Sequence, residues 1–83
     1  NKRATVFYLI GKYEDSIKDI EKVLRLEPRH FGALSGLGLN QLELKNYKIA
    51  LKSYQEAQKI HPNMDAPKKM IPIIMELIDG QKT

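Results

Sequence analysis

The chain has 83 residues, of which 42% are hydrophobic and 29% charged, with a formal net charge of +4. That length admits one small domain, and the composition is that of a folded chain rather than a disordered one. Cysteine is absent, which excludes disulfides, thiolate metal sites and cysteine nucleophiles and leaves packing to hold the fold.

In chain order, a first helix is expected from the start to about Ile10, with Gly11 as the permissive turn residue. A second carries Tyr13, Ser16, Ile17, Ile20, Val23, Leu24 and Leu26 at helical steps, and Glu27-Pro28 stops it. A third runs from about Phe31 to Leu44 on a stripe of Leu34, Leu37, Leu39, Leu42 and Leu44. Lys45-Asn46 makes a short turn. A fourth helix places Tyr47, Ala50, Leu51, Tyr54, Ala57 and Ile60 on one face and ends at His61-Pro62-Asn63. In the tail, Asp65 is a helix cap and Pro67 suits a first turn. Met70, Ile71, Ile73, Ile74, Leu77 and Ile78 are its apolar positions, and Gly80 is the expected stop. Pro72 is expected to kink this helix near Lys68–Lys69, or to delay its start to about Met70.

The chain repeats itself. An offset of 34 residues pairs Tyr13 with Tyr47, Lys18 with Lys52 and Pro28 with Pro62. It also pairs Ala4 with Gly38, Ile10 with Leu44, Ser16 with Ala50, Ile17 with Leu51, Val23 with Ala57 and Leu26 with Ile60. Each unit therefore reads as two helices. Gly38 and Ala4 are expected where the first helix of a pair meets the second, opposite Ala50 and Ser16, so that the axes approach closely. Gly36-Leu37-Gly38 follows no strand and is no phosphate loop.

The unit from Phe31 to Met64 resembles a tetratricopeptide repeat. It carries Leu34, Leu37, Gly38, Tyr47, Ala50, Tyr54, Ala57 and Pro62 at the family's spacing, with Gln41 in place of the usual aromatic and Lys45 in place of the usual turn glycine. The first unit matches through Ala4, Phe7, Gly11, Tyr13, Ser16, Ile20, Val23 and Pro28. The resemblance implies an all-α fold of antiparallel helix-turn-helix repeats: about two repeats and a C-terminal capping helix. The expected division is a first repeat over 1–30 with its front edge missing, a second over 31–64, a capping helix over 65–80 and a tail over 81–83. The short length suggests a fragment, with the missing front edge the place where a longer array, or a partner, packs.

The inventory for catalysis is thin. His30 and His61 lie beside helix-ending prolines, have no metal spacing and read as solvent-facing linker residues. Ser16, Ser35 and Ser53 have no histidine at helical reach, and Glu43 has no second carboxylate on its face. No enzyme, cofactor or metal is expected. The longest apolar stretch, Val6 to Ile10, is too short to span a bilayer. Lys2-Arg3 before it imitates a signal sequence, but Gly11 to Asp15 interrupts the pattern. The pI of about 9.4 raises nucleic acid as a partner. Acids and bases are interleaved, however, and no aromatic residue sits inside a basic cluster.

The family holds peptides or partner helices on the concave surface made by its first helices. The resemblance places Asn1, Thr5, Tyr8 and Leu9 there from the first helix. Gly32, Ser35, Gly36, Leu39, Leu42 and Glu43 follow from the third, with Lys69 and Ile73 from the tail. Leu39 and Leu42 read equally well as core. Some family members grip acidic C-terminal peptides through lysine, asparagine and arginine. Those positions here hold Asn1, Thr5, Gly36, Ala66 and Met70, without the cations. The expected function is a non-catalytic interaction module for a peptide or helix of another protein. The alternatives are a self-associating structural unit and, behind it, a basic nucleic-acid accessory.

Overall fold

The computed structural model describes residues 2–81. They form five helices: α1 (Lys2–Leu9), α2 (Tyr13–Leu26), α3 (Phe31–Glu43), α4 (Tyr47–Ile60) and α5 (Asp65–Gln81). Each packs chiefly on its neighbours in the chain. Short turns make those neighbours antiparallel. The fold is all-α, a row of helix pairs measuring 36 × 27 × 19 Å.

The repeat holds at the level of single hydrogen bonds. In the first turn, the Gly11 and Lys12 amides donate to the Tyr8 and Phe7 carbonyls at 3.1 and 2.8 Å. In the second, the Lys45 and Asn46 amides donate to the Leu42 and Gln41 carbonyls at 3.0 and 2.8 Å. Gly11 has φ 82° and Lys45 has φ 64°. Glycine takes the left-handed region freely, whereas Lys45 bears its steric cost. The turn geometry is thus kept although the residue that suits it is not.

The core falls into two clusters, one over α1 to α3 and one over α3 to α5. Ala4, Ile20 and Ala33 form the first, with Val23, Leu24 and Leu37 against them. Ala50, Tyr54 and Ile74 form the second, with Leu42, Tyr47, Leu51, Met70, Ile71 and Ile78 around them. Ser16 and Ala50 are equivalent and both fully buried. The Ser16 hydroxyl donates to the Ala4 carbonyl at 2.8 Å, which fixes α1 on α2. At Gly38 the nearest side chain is Tyr54, two of whose ring carbons would lie 2.7 Å from an added Cβ. The ring needs the volume that a side chain at Gly38 would fill.

Three expectations are corrected. The last helix is unbroken from Asp65 to Gln81, so it neither begins at Met70 nor breaks at Lys68–Lys69. Pro72 and Lys68 are both exposed, so the carbonyl that loses its bond faces water. Burial of Ile74 and Met70 against α4 outweighs that loss. Gly80 does not stop the helix, which continues to Gln81. Asp65 is its first residue, placed where negative charge meets the positive helix end. Finally, His30 is not a free linker residue. Its Nδ1 accepts the Ala33 amide at 3.0 Å and caps α3.

Candidate functional site: a groove over the first three helices

A groove of about 600 Å³ runs over α1, α2 and α3. From α1 it is lined by Ala4, Thr5 and Tyr8, and from α2 by Ser16, Ile20 and Val23. The α3 side is lined by His30, Gly32, Ala33, Gly36, Leu39 and Asn40. The groove is open over α3 because Gly32 and Gly36, one turn apart, offer no side chain. Gly36 also brings α3 close to α2: a Cβ there would lie 3.2 Å from the Ile20 Cδ1. Among the described residues, no lysine, arginine, aspartate or glutamate lines it.

One end is aromatic and polar. The Tyr8 and Tyr13 rings are tilted at a centroid distance of 5.5 Å. Burial pushes the Tyr8 phenol up, and the charge of the nearby Glu43 carboxylate adds to the shift. The Tyr54 phenol is pushed up to about 12, chiefly by burial and then by the charge of Tyr8. Asn40 is 2% exposed. Its Nδ2 donates to the Gly36 carbonyl at 2.8 Å. Its Oδ1 is buried and has no partner among the described residues.

A second, charged depression of about 400 Å³ is lined by Arg3, Phe7, Asp15, Lys18, Asp19, Glu21, Lys22 and Arg25. Arg3 donates to both carboxylate oxygens of Asp19, Nε to Oδ2 and Nη2 to Oδ1, each at 2.7 Å. The hydrogen bond to Arg3 is the main cause holding the Asp19 carboxyl below its usual value. This pair ties α1 to α2.

Of the candidate residues, Thr5, Tyr8, Gly32, Gly36 and Leu39 come together along the groove. Glu43 joins them through Tyr8. Leu42 does not: it packs in the second core cluster. Leu9 is 73% exposed and lies off the lining. Ser35 is off the lining too, with a buried hydroxyl that has no partner among the described residues. Lys69 and Ile73, exposed on α5, are also not lining residues. Asn1 lies outside the described residues. The family's clamp positions Thr5 and Gly36 line the groove without charge, and Ala66 and Met70 stand away from it. Sequence reasoning missed Asn40 and the α2 floor of Ile20 and Val23. Asn40 stands one turn beyond Gly36 on the same face of α3.

Antiparallel helix pairs whose first helices border a neutral groove make a helical-repeat domain. The tetratricopeptide repeat profile matches residues 1–30. A TPR repeat-containing protein of Rhizobium etli is 36% identical over 83 residues, covering 100% of this chain and 41% of that protein. Hsp70-Hsp90 organizing protein 1 of Glycine max is 32% identical over 80 residues, 96% of this chain and 12% of that protein. The crystal structure of the Sgt2 TPR domain from Aspergillus fumigatus superposes with a TM-score of 0.89 at 26% identity, covering 96% of this chain and 54% of that one. Residues 1–30 thus match a tetratricopeptide repeat, and the chain as a whole is similar in sequence and fold to tetratricopeptide repeat proteins. It spans less than half the length of these two relatives.

Proposed function

We propose that this chain is a non-catalytic module that holds a peptide or helix of a partner protein in the groove over α1 to α3. The carrying observation is the lining itself: uncharged, floored by Ile20, walled by Tyr8 and Leu39, and opened by Gly32 and Gly36. Its volume of about 600 Å³ matches sites that enclose short ligand segments. Backbone laid against Gly32 and Gly36 gains close contact, and the tyrosine supplies a broad face with a polar tip. His30, the histidine of the lining, has its Nδ1 occupied in capping α3. The relatives support the reading by name, since one is called an organizing protein for Hsp70 and Hsp90. The test is selection of short random peptides on the immobilised chain. Peptides should be enriched that no longer bind Leu39→Glu, with its circular dichroism unchanged. Peptides that bind Leu39→Glu equally well would contradict the proposal.

A second reading, association of copies through their end helices, is favoured by exposed apolar side chains. Val6, Leu9 and Ile10 are exposed by the first helix, and Ile73, Met75 and Leu77 on α5. Light scattering that shows dimers, dispersed by Ile73→Lys or Leu9→Lys, supports it; monomers at high concentration would remove it.

A further inference from the structure

The groove's aromatic end has a chemistry that the peptide reading does not by itself require. Its polar atoms are arranged to accept. Asn40 is buried, its amide nitrogen is spent on the Gly36 carbonyl, and its Oδ1 is left without a donor among the described residues. Glu43, one turn further along α3, carries an exposed carboxylate with no lysine or arginine in ion-pair contact among the described residues. Tyr8, whose phenol that carboxylate helps to push up, lies near it, and the Tyr13 ring is tilted against the Tyr8 ring at a centroid distance of 5.5 Å. An aromatic face attracts a cation held within about 6 Å of its centre. Among the described residues, no lysine or arginine lines the groove to repel one or to attract an anion.

We infer that the end of the groove bounded by Tyr8, Tyr13, Glu43 and Asn40 receives a cationic side chain, lysine or arginine, from the docked segment. This inference rests on the groove being the docking site. The ammonium or guanidinium pairs with the Glu43 carboxylate and lies against the Tyr8 and Tyr13 rings. One of its N–H groups supplies the donor that Asn40 Oδ1 lacks. An acidic peptide finds no partner there. The occupant is therefore a basic segment with small or apolar residues over Gly32 and Gly36, not an acidic tail.

The test compares peptides selected from a random library on the unaltered chain with their affinity for Glu43→Gln and Asn40→Leu. Glu43 is exposed, so Glu43→Gln leaves the fold intact whatever Asn40→Leu does. The expected result is a lysine or arginine at a fixed position in the selected peptides. Glu43→Gln then weakens binding about tenfold at low salt, and substituting the basic residue by norleucine weakens it equally, with no further loss in Glu43→Gln. Peptides that bind in the groove, as judged by Leu39→Glu, but carry no basic position or are indifferent to Glu43→Gln would overturn this inference and leave the groove reading intact. Selection of acidic peptides would overturn it too. Failure to select any groove-dependent peptide would overturn both.

Discussion

A Cβ added to Gly38 would lie 2.7 Å from two ring carbons of Tyr54. The ring cannot simply move aside, because Tyr54 is 3% exposed and sits in the second core cluster with Ala50 and Ile74. In a free helix, alanine would stabilise over glycine by up to ~1 kcal/mol. Here overpacking by roughly 1–3 kcal/mol opposes that gain. Gly38→Ala should therefore lower stability by about 1–2 kcal/mol, read as a lower urea midpoint. The loss should shrink in a Tyr54→Leu background, where the ring is gone.

The left-handed turns differ only in their residue. Gly11 takes φ 82° without strain, whereas Lys45 takes φ 64° against its own Cβ. Lys45→Gly should raise stability by about 0.5–1 kcal/mol, the strain relieved less the added freedom of the unfolded chain. Gly11→Ala should lower it by about 1 kcal/mol. A higher thermal midpoint for Lys45→Gly and a lower one for Gly11→Ala would check both.

Acid should act through Asp19. The hydrogen bond from Arg3 holds its folded carboxyl below the ordinary value of 3.8. The depressed group favours the fold where it is ionised, so its contribution is present above pH 3.8 and is lost as pH falls below it. Arg3→Gln should be less stable than the unaltered chain at neutral pH. Urea midpoints of the two should converge in acid.

Alkali should act through Tyr54, with the opposite sign. Burial raises its folded value from 10 to about 12. The neutral phenol is the form the fold accepts, so its contribution is complete below pH 10 and is lost as pH rises toward 12. Helical circular dichroism should fall across that window. Tyr54→Phe should flatten the fall, since phenylalanine has nothing to ionise.

Most of the fold was legible because its causes are local and repeat. The spacing of Tyr13, Ser16 and Ile20 and of Tyr47, Ala50 and Tyr54 marks two equivalent helix faces, and the prolines after them mark the ends. Pro72 misled, because a local rule about proline loses to burial of Ile74 across the helix. His30 misled, because a side chain facing back onto its own helix cannot be told by composition from one facing water. The groove was half legible. Thr5, Tyr8, Gly32, Gly36 and Leu39 fall on it by their place in the repeat. Leu42 left it for the core, since a leucine stripe wider than the groove serves both faces. Asn40 was hidden by being a polar residue in a row of leucines, where its burial depends on how α3 meets its neighbours.

Docking of partners over α1 to α3 can be read residue by residue from amide chemical shifts of the chain with a selected peptide. Shifts should concentrate at Thr5, Tyr8, Gly32, Gly36, Leu39 and Asn40, with little change at Lys18, Lys22 and Arg25 around the charged depression. Shifts concentrated at Lys18, Lys22 and Arg25, with Gly32 and Gly36 unmoved, would contradict it.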